Sequence, residues 1–464
     1  MNERVFRGQW LSVPLAFLCL FGAFLGDAAQ VTAAVPVDEG VYVTGADQWQ
    51  AAGFTGKGVK VGIIQDYLSS DPQFLGNAKI TAKSFRADGK VELPPNGNSY
   101  GTLYAEAVHQ MAPDAEIVFA AIDDDRHDDE VVDWLVNTEH IAVLFNDLVS
   151  YVGLPDGTGE EFLQHIKAAG VSIVVPLRFF GSGAIGSASD GGHYGAQFTD
   201  TDGDGLHDFS PPSGGQGKNA LPMRIVDATT LAGRASPPGA MHDIYIWLSW
   251  DNNDVPSTTL TLTLLDENGV QVAQSSDTST PYQSIIGQYP VGNYTLQVRQ
   301  EGTKNTKVPV NIFFGGMQAE QIVSAGSLLV PQDSIDVITV GAALWSDDRI
   351  APSASRGPTL DGRPKPDLVG PDCTSSHAEA VLNFGSRDPN ATKPSCGTAA
   401  AAHMAGAIAL YKQAFPDATP DDVLKYFQDH AKKLSGADGD VNTSGAGRLD
   451  LGPVPTTAPG TGTS

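Results

Sequence analysis

Val59-Lys60-Val61-Gly62-Ile63-Ile64-Gln65-Asp66 is a short apolar run, rich in β-branched residues, that ends on a carboxylate. A strand covered on both faces reads as nearly continuous apolar sequence rather than strict alternation, and this run has that form. Similar runs recur at Ile117 to Ile122, Ile141 to Leu148, Val171 to Val175 and Ile335 to Val340. Helical patterns separate them at Tyr104 to Met111, Val131 to Val136 and Phe162 to Ala169. The alternation predicts an α/β fold: a parallel sheet with helices on both faces, its functional groups at the carboxyl ends of the strands. Asp66 stands at such an end.

The pattern changes after about Gly214. Ile244, Ile246, Leu248 and Trp250 alternate with other residues, as do Leu260, Leu262 and Leu264, and later Tyr294, Leu296 and Val298. Asn268-Gly269 is a hairpin turn signal between two such runs. Residues 217–315 are therefore predicted to form an antiparallel β-sandwich inserted into the larger domain, whose two parts are 35–216 and 316–452. An Ala-rich helix from about Ala399 to Tyr411 and a last helix near Asp421 to Ala431 complete that domain. The tail from 453 to 464, rich in Pro, Thr and Gly, is expected to be disordered.

Lys and Arg total 28 against 54 Asp and Glu, a formal net charge of −26 over 464 residues. Such a chain repels nucleic acid and anionic membranes, so neither is an expected partner. Arg4 and Arg7 precede an apolar stretch from Leu11 to Leu25, and small residues follow it. Residues 1–34 thus read as a secretory signal peptide, which implies export to an extracellular or periplasmic location and no stable membrane insertion after cleavage. Cys19 falls within that leader, leaving Cys373 and Cys396 either bridged or free.

Several segments, taken in order, resemble the subtilisin-like serine peptidases. Gly53 to Asp66 resembles the opening strand that ends at the catalytic aspartate. Tyr100-Gly101-Thr102, with Met111-Ala112-Pro113-Asp114-Ala115 beyond it, resembles the His-Gly-Thr helix and its following turn. Ser355-Arg356-Gly357-Pro358 and Asp361 to Asp367 resemble the approach to the nucleophile loop. Cys396-Gly397-Thr398-Ala399, with His403 to Gly406, resembles the Gly-Thr-Ser helix. The resemblance implies a subtilisin-like sheet, a hairpin between Cys373 and Cys396, and a triad at the positions of Asp66, Tyr100 and Ala399.

Two of those three positions do not carry the chemistry. A phenol at Tyr100 is a poor general base at neutral pH. Ala399 offers no oxygen for acyl transfer. Anchoring the motif on His403 instead brings Thr398 to the nucleophile position, where a hydroxyl would still face no histidine. Phe179 stands at the position of the oxyanion-hole asparagine and brings no side-chain N–H donor. His109 and His403 read as structural histidines.

The segment Asp200-Thr201-Asp202-Gly203-Asp204-Gly205-Leu206-His207-Asp208 spaces carboxylates as a calcium loop does, without the closing Glu of an EF-hand. Asp200, Asp202, Asp204 and Asp208 are the expected ligands of a structural Ca²⁺. The functional expectation is a secreted peptidase homologue that has lost hydrolysis and binds a protein or peptide ligand. The alternatives are an active serine-type endopeptidase with nonstandard residues, and a carbohydrate-binding or adhesion protein acting through the inserted sandwich.

Overall fold

The computed structural model describes residues 38–69, 71–94, 100–123, 129–150, 161–177, 180, 192–209, 218–225, 239–250, 258–275, 280–302, 308–351, 354–388, 390–397 and 399–456. The expected signal peptide, Phe179, Thr398 and most of the expected tail lie outside these residues. Val454, the second residue of the expected tail, packs against the core.

The strands of the main sheet are β1 (Lys60–Gln65), β2 (Lys79–Ser84), β3 (Glu116–Ala121), β4 (Val143–Asn146) and β5 (Ser172–Pro176). Two later strands, Ile338–Leu344 and Leu368–Asp372, extend the sheet beyond β5. Every pairing among the seven is parallel. β4 and β5 are buried along their whole length and β1 and β3 at all but their first residue. Burial on both faces explains why their sequences are nearly continuous in apolar residues.

Five helices matter to the site: α1 (Glu39–Val43), α2 (Tyr100–Met111), α3 (Glu161–Ala168), α4 (Ala399–Ala414) and α5 (Pro420–His430). One apolar core joins α2 and α4 to Val61, Ile63, Phe119 and Phe145 of the sheet. A second core, on the opposite side chains of the same strands, holds Ile64, Val118, Leu144 and Ile173 with Ile166 of α3. α4 is buried from Ala399 to Lys412, which its run of alanines permits. Gly406 is needed where α4 meets α2, because a Cβ there would lie 2.4 Å from the Cβ of Met111. α5 begins with Pro420 after a Thr419 cap, whose hydroxyl and amide are both engaged by Asp422.

Between β5 and its sheet neighbour Ile338–Leu344 the chain forms two antiparallel sheets. The strands are β6 (Gly192–Gln197), β7 (Leu221–Ile225), β8 (Met241–Trp250), β9 (Thr258–Asp266), β10 (Gln271–Gln274), β11 (Tyr282–Pro290), β12 (Gly292–Gly302), β13 (Pro309–Gly315) and β14 (Gln318–Ala319). The orders are β10-β9-β12-β7-β14 and β11-β8-β13-β6. Ile246, Leu248 and Ile312 of the second sheet share one core with Leu262, Leu264 and Leu296 of the first. The turn at Asn268-Gly269 forms as its sequence predicts, with Gly269 at φ +75° and the Asp266 carboxylate accepting from the amides of Asn268 and Val270. β6 and β14 lie outside the 217–315 segment, so the antiparallel part recruits a strand from each flank. The strands after β14 are β15 (Ile338–Leu344), β16 (Leu368–Asp372), β17 (Thr374–Ser376) and β18 (Lys393–Ser395).

The insertion leaves at the carboxyl end of β5, the edge on which β1 also ends, and the returning chain touches that end where Gln332 Nε2 donates to the Pro176 carbonyl at 2.9 Å. Phe313 of β13 packs there with Val149, Phe180 and Leu329, and Phe180 meets it edge-on at 5.1 Å.

Candidate active-site region

β1 delivers Asp66 to the carboxyl edge of the sheet. Its Oδ1 accepts from the Tyr67 amide at 2.8 Å, and its own amide donates to Gln65 Oε1 at 2.8 Å. The side chain is half-buried. Burial raises the Asp66 carboxyl above the ordinary aspartate range, against the pull of the Tyr67 amide and of Arg86. Arg86 lies 4.0 Å over the Tyr67 ring, donates to the Tyr67 hydroxyl at 2.6 Å and pairs with Asp123.

The loop after Asp66 runs against the start of α2. Thr102 Oγ1 accepts from the Ser69 amide at 2.9 Å. A Cβ on Gly101 would lie 2.2 Å from the Tyr67 carbonyl oxygen, so only glycine lets the loop approach this closely. Tyr100, the first residue of α2, is 47% exposed and stacks parallel to Tyr104 at 6.2 Å. Tyr104 is buried and donates to Asp147 Oδ2 at 2.5 Å.

Ala399 opens α4 and is buried. Before it, Cys373 and Cys396 are joined in a disulfide at the base of the β17–β18 hairpin, in which Thr374 pairs with Ser395. Gly397, at φ +120°, donates its amide to both oxygens of Asp372, at 2.8 and 2.9 Å. Burial pushes the Asp372 carboxyl up to about 6, although the Gly397 and Cys373 amides and His403 favour its charged form.

His403 is engaged by Asp38. Its Nε2 lies 2.9 Å from Asp38 Oδ2, both side chains being buried. Burial disfavours the imidazolium, yet the Asp38 carboxylate outweighs it and raises the His403 pKa. Asp38 also accepts from the Gly40 amide and from Thr374 Oγ1, tying the N-terminal end of α1 to α4 and to the hairpin. His109, near the end of α2, has its pKa lowered by burial. His403 therefore holds a structural place through Asp38.

Sequence reading missed Asp38 and Glu106. Glu106 is buried on α2 and accepts from Ser376 Oγ at 2.5 Å, the His377 amide at 2.9 Å and the Ala378 amide at 3.2 Å. Burial, reinforced by the Asp38 charge, pushes its carboxyl up to about 7. A single acid within a small and apolar helix sequence was the available signal.

In the acidic loop, carboxylate oxygens of Asp200, Asp202 and Asp204 converge to within 4.8 Å of one another. Asp208 does not join them. Its Oδ2 accepts from the amide and hydroxyl of Thr201 at 2.7 and 2.6 Å, a use that spacing alone does not reveal. The neighbouring His207 is buried, and burial lowers its pKa to about 4. It accepts from the Thr199 amide at 3.1 Å and meets the Tyr194 hydroxyl at 3.0 Å.

A model of the subtilase family matches residues 256–447. Serine protease AprX of Bacillus subtilis (strain 168) is 35% identical over 133 residues, 26% of this chain and 30% of that protein. The chain thus resembles the subtilisin-like peptidases in sequence over residues 256–447 and shares their α/β fold. It spans less than a third of the length of that curated relative. The Clostridium perfringens CspB protease has the same fold, with a TM-score of 0.58 at 14% identity over 89% of this chain and 97% of that one. Within this subtilisin-like frame, β1 and α2 bring Asp66 and Tyr100 to one edge of the sheet, and α4 supplies Ala399.

The raised pKa of Glu106 sets a direction for stability. Between pH 4.5 and about 7 the folded state keeps a proton that the unfolded chain releases. This contribution is complete below pH 4.5 and lost above about 7, and the shift corresponds to roughly 3 kcal/mol. Urea unfolding of wild type and Glu106→Gln should therefore show the variant gaining on wild type as pH rises from 4.5 to 8. Parallel pH profiles would show that burial does not hold the proton on Glu106.

Proposed function

We propose that this chain is an exported subtilisin-like peptidase homologue that binds a protein or peptide ligand and does not hydrolyse it. What supports the proposal is Ala399 at the head of α4, the position that motif order assigns to the family's nucleophilic serine. A methyl group there supplies no attacking oxygen. Tyr100 takes the place of the general base with a phenol, and the nearby His403 is committed to Asp38. Asp66 keeps the triad carboxylate, whose role in catalysis is to orient a histidine that this chain replaces.

Magnitudes support this reading. In subtilisin itself, losing the serine or the histidine alone costs about a millionfold in turnover. Casein digestion by the purified chain should fall at least ten-thousandfold below that of an active relative between pH 6 and 9, and Asp66→Ala should leave any residue of activity unchanged. Sustained cleavage that Asp66→Ala abolishes would instead establish an active peptidase with nonstandard groups.

The acidic loop is proposed to hold a structural Ca²⁺ through Asp200, Asp202 and Asp204. Three convergent hard oxygen donors fit that ion, and Asp208 braces the loop through Thr201. Calcium at a hundredfold excess over its Kd should stabilise the fold by about 2.7 kcal/mol relative to chelator. Asp202→Asn should remove that difference in melting temperature. Identical melting of wild type in calcium and in chelator would rule the site out.

A further inference from the structure

Among the described residues β6 is an outer strand of its sheet, with β13 as its one strand neighbour. Phe198 donates to the Val308 carbonyl at 2.8 Å, and the register continues through Ala196↔Val310 and Tyr194↔Ile312. Antiparallel ladders alternate, so the even-numbered residues bond to β13 while the amides and carbonyls of His193, Gly195 and Gln197 are directed outward. The first outward carbonyl, on His193, accepts from the Val323 amide at 2.8 Å. The chain then peels away, and Gly326 and Ser327 donate to Gly357 and Arg356 instead. Among the described residues nothing pairs with the outward backbone groups of Gly195 and Gln197.

The space left by this divergence is a cavity of about 380 Å³ in the seam between the antiparallel sheets and the loop following β15. Gly195 and Gln197 form one wall, and Ala325, Pro358 and Leu360 form the other. Leu360 is 47% exposed. Gly195 must lack a side chain, since a Cβ would lie 2.8 Å from His193 Cε1. The strand edge is therefore bare enough for another backbone to approach.

His193 and Asn311 also line this cavity. His193 Nδ1 donates to the Val323 carbonyl at 2.6 Å, and its Nε2 lies 2.6 Å from the Asn311 side chain. The second amide atom of Asn311 is buried without a partner, although the residue is only 4% exposed. A buried polar atom left in this state is costly, and a ligand hydrogen bond would satisfy it.

We propose that this seam binds an extended peptide segment as an added strand on β6, with an apolar side chain against Pro358 and Leu360. Backbone groups that alternate outward from a strand edge match the backbone of an extended peptide, and the apolar wall selects its side chain. The net charge of −26 favours a segment with basic flanks. The inference rests on the binding reading above and gives it a place distinct from the region of Asp66 and Tyr100.

The test is selection of a random heptapeptide display library on the purified full chain, followed by synthesis of the enriched peptides. Gln197→Pro removes one outward amide and leaves every bond to β13 intact, because Gln197 pairs with Pro309 at a position without ladder bonds. The selected peptides should lose at least tenfold in affinity for Gln197→Pro and retain it for Gln197→Ala. N-methylating alternate peptide amides should weaken binding in one phase and spare it in the other. Bound peptide should slow hydrogen exchange at residues 195–197. An unchanged melting temperature of Gln197→Pro guards against misfolding.

Failure to enrich any peptide would overturn the proposal, as would equal binding by Gln197→Pro. Binding lost on substitution of Tyr100 but not of Gln197 would overturn the seam and leave the binding reading standing. Cleavage of the selected peptides would overturn the binding reading, while the Gln197 variants would still report on the seam.

Discussion

The close approach of the Tyr67 carbonyl to Gly101 fixes where the end of β1 meets the start of α2. The bond from the Ser69 amide to Thr102 Oγ1 locks the same junction from the other side. Asp66 and Tyr100 immediately flank it, so both positions are set by backbone contacts that do not depend on catalytic chemistry. This explains how a chain can keep the frame of a subtilisin-like site while its side chains change. The frame is held by glycine, threonine and main chain, contacts that do not depend on which side chains stand at positions 66, 100 and 399.

The start of α4 is held by a second set of interactions. Asp372 grips the Gly397 amide, the disulfide closes the hairpin beside it, and Asp38, the cap of α1, reaches His403. Glu106 fastens the turn after β17 to α2. Three buried acids and one histidine thus surround a helix whose first residue is alanine. Buried carboxylates are expensive unless hydrogen-bonded, and each of these accepts at least two bonds. Their contribution is positional, fixing α1, α2, α4 and the hairpin relative to one another.

Much of the fold was legible because burial writes itself into apolar pattern. β1, β3, β4 and β5 are covered on both faces and read as continuous runs, while β8, β9 and β12 share one inner core and read as alternation. β6 was not legible, since Gly192-His193-Tyr194-Gly195-Ala196-Gln197 has glycine and histidine where large apolar residues would mark a strand. The expectation that Tyr100 and Ala399 stand at the family's histidine and serine positions came from motif order alone. The polar groups that brace the site could not. Asp38, Glu106 and Asp372 act through partners far away in sequence, and Asp208 turns to Thr201 although its spacing suggests a ligand. The pairing of Cys373 with Cys396 likewise depended on the hairpin that brings them together.

The proposed loss of hydrolysis requires that no side chain at this edge of the sheet act as an activated nucleophile. Intact-mass measurement of the purified chain after prolonged exposure to a fluorophosphonate addresses it directly, because the reagent modifies activated hydroxyls in proportion to their reactivity. The account predicts an unmodified mass under conditions that label an active subtilisin-like enzyme completely. A single stoichiometric adduct on a serine or threonine near Asp66, lost when that residue is replaced by alanine, would contradict it.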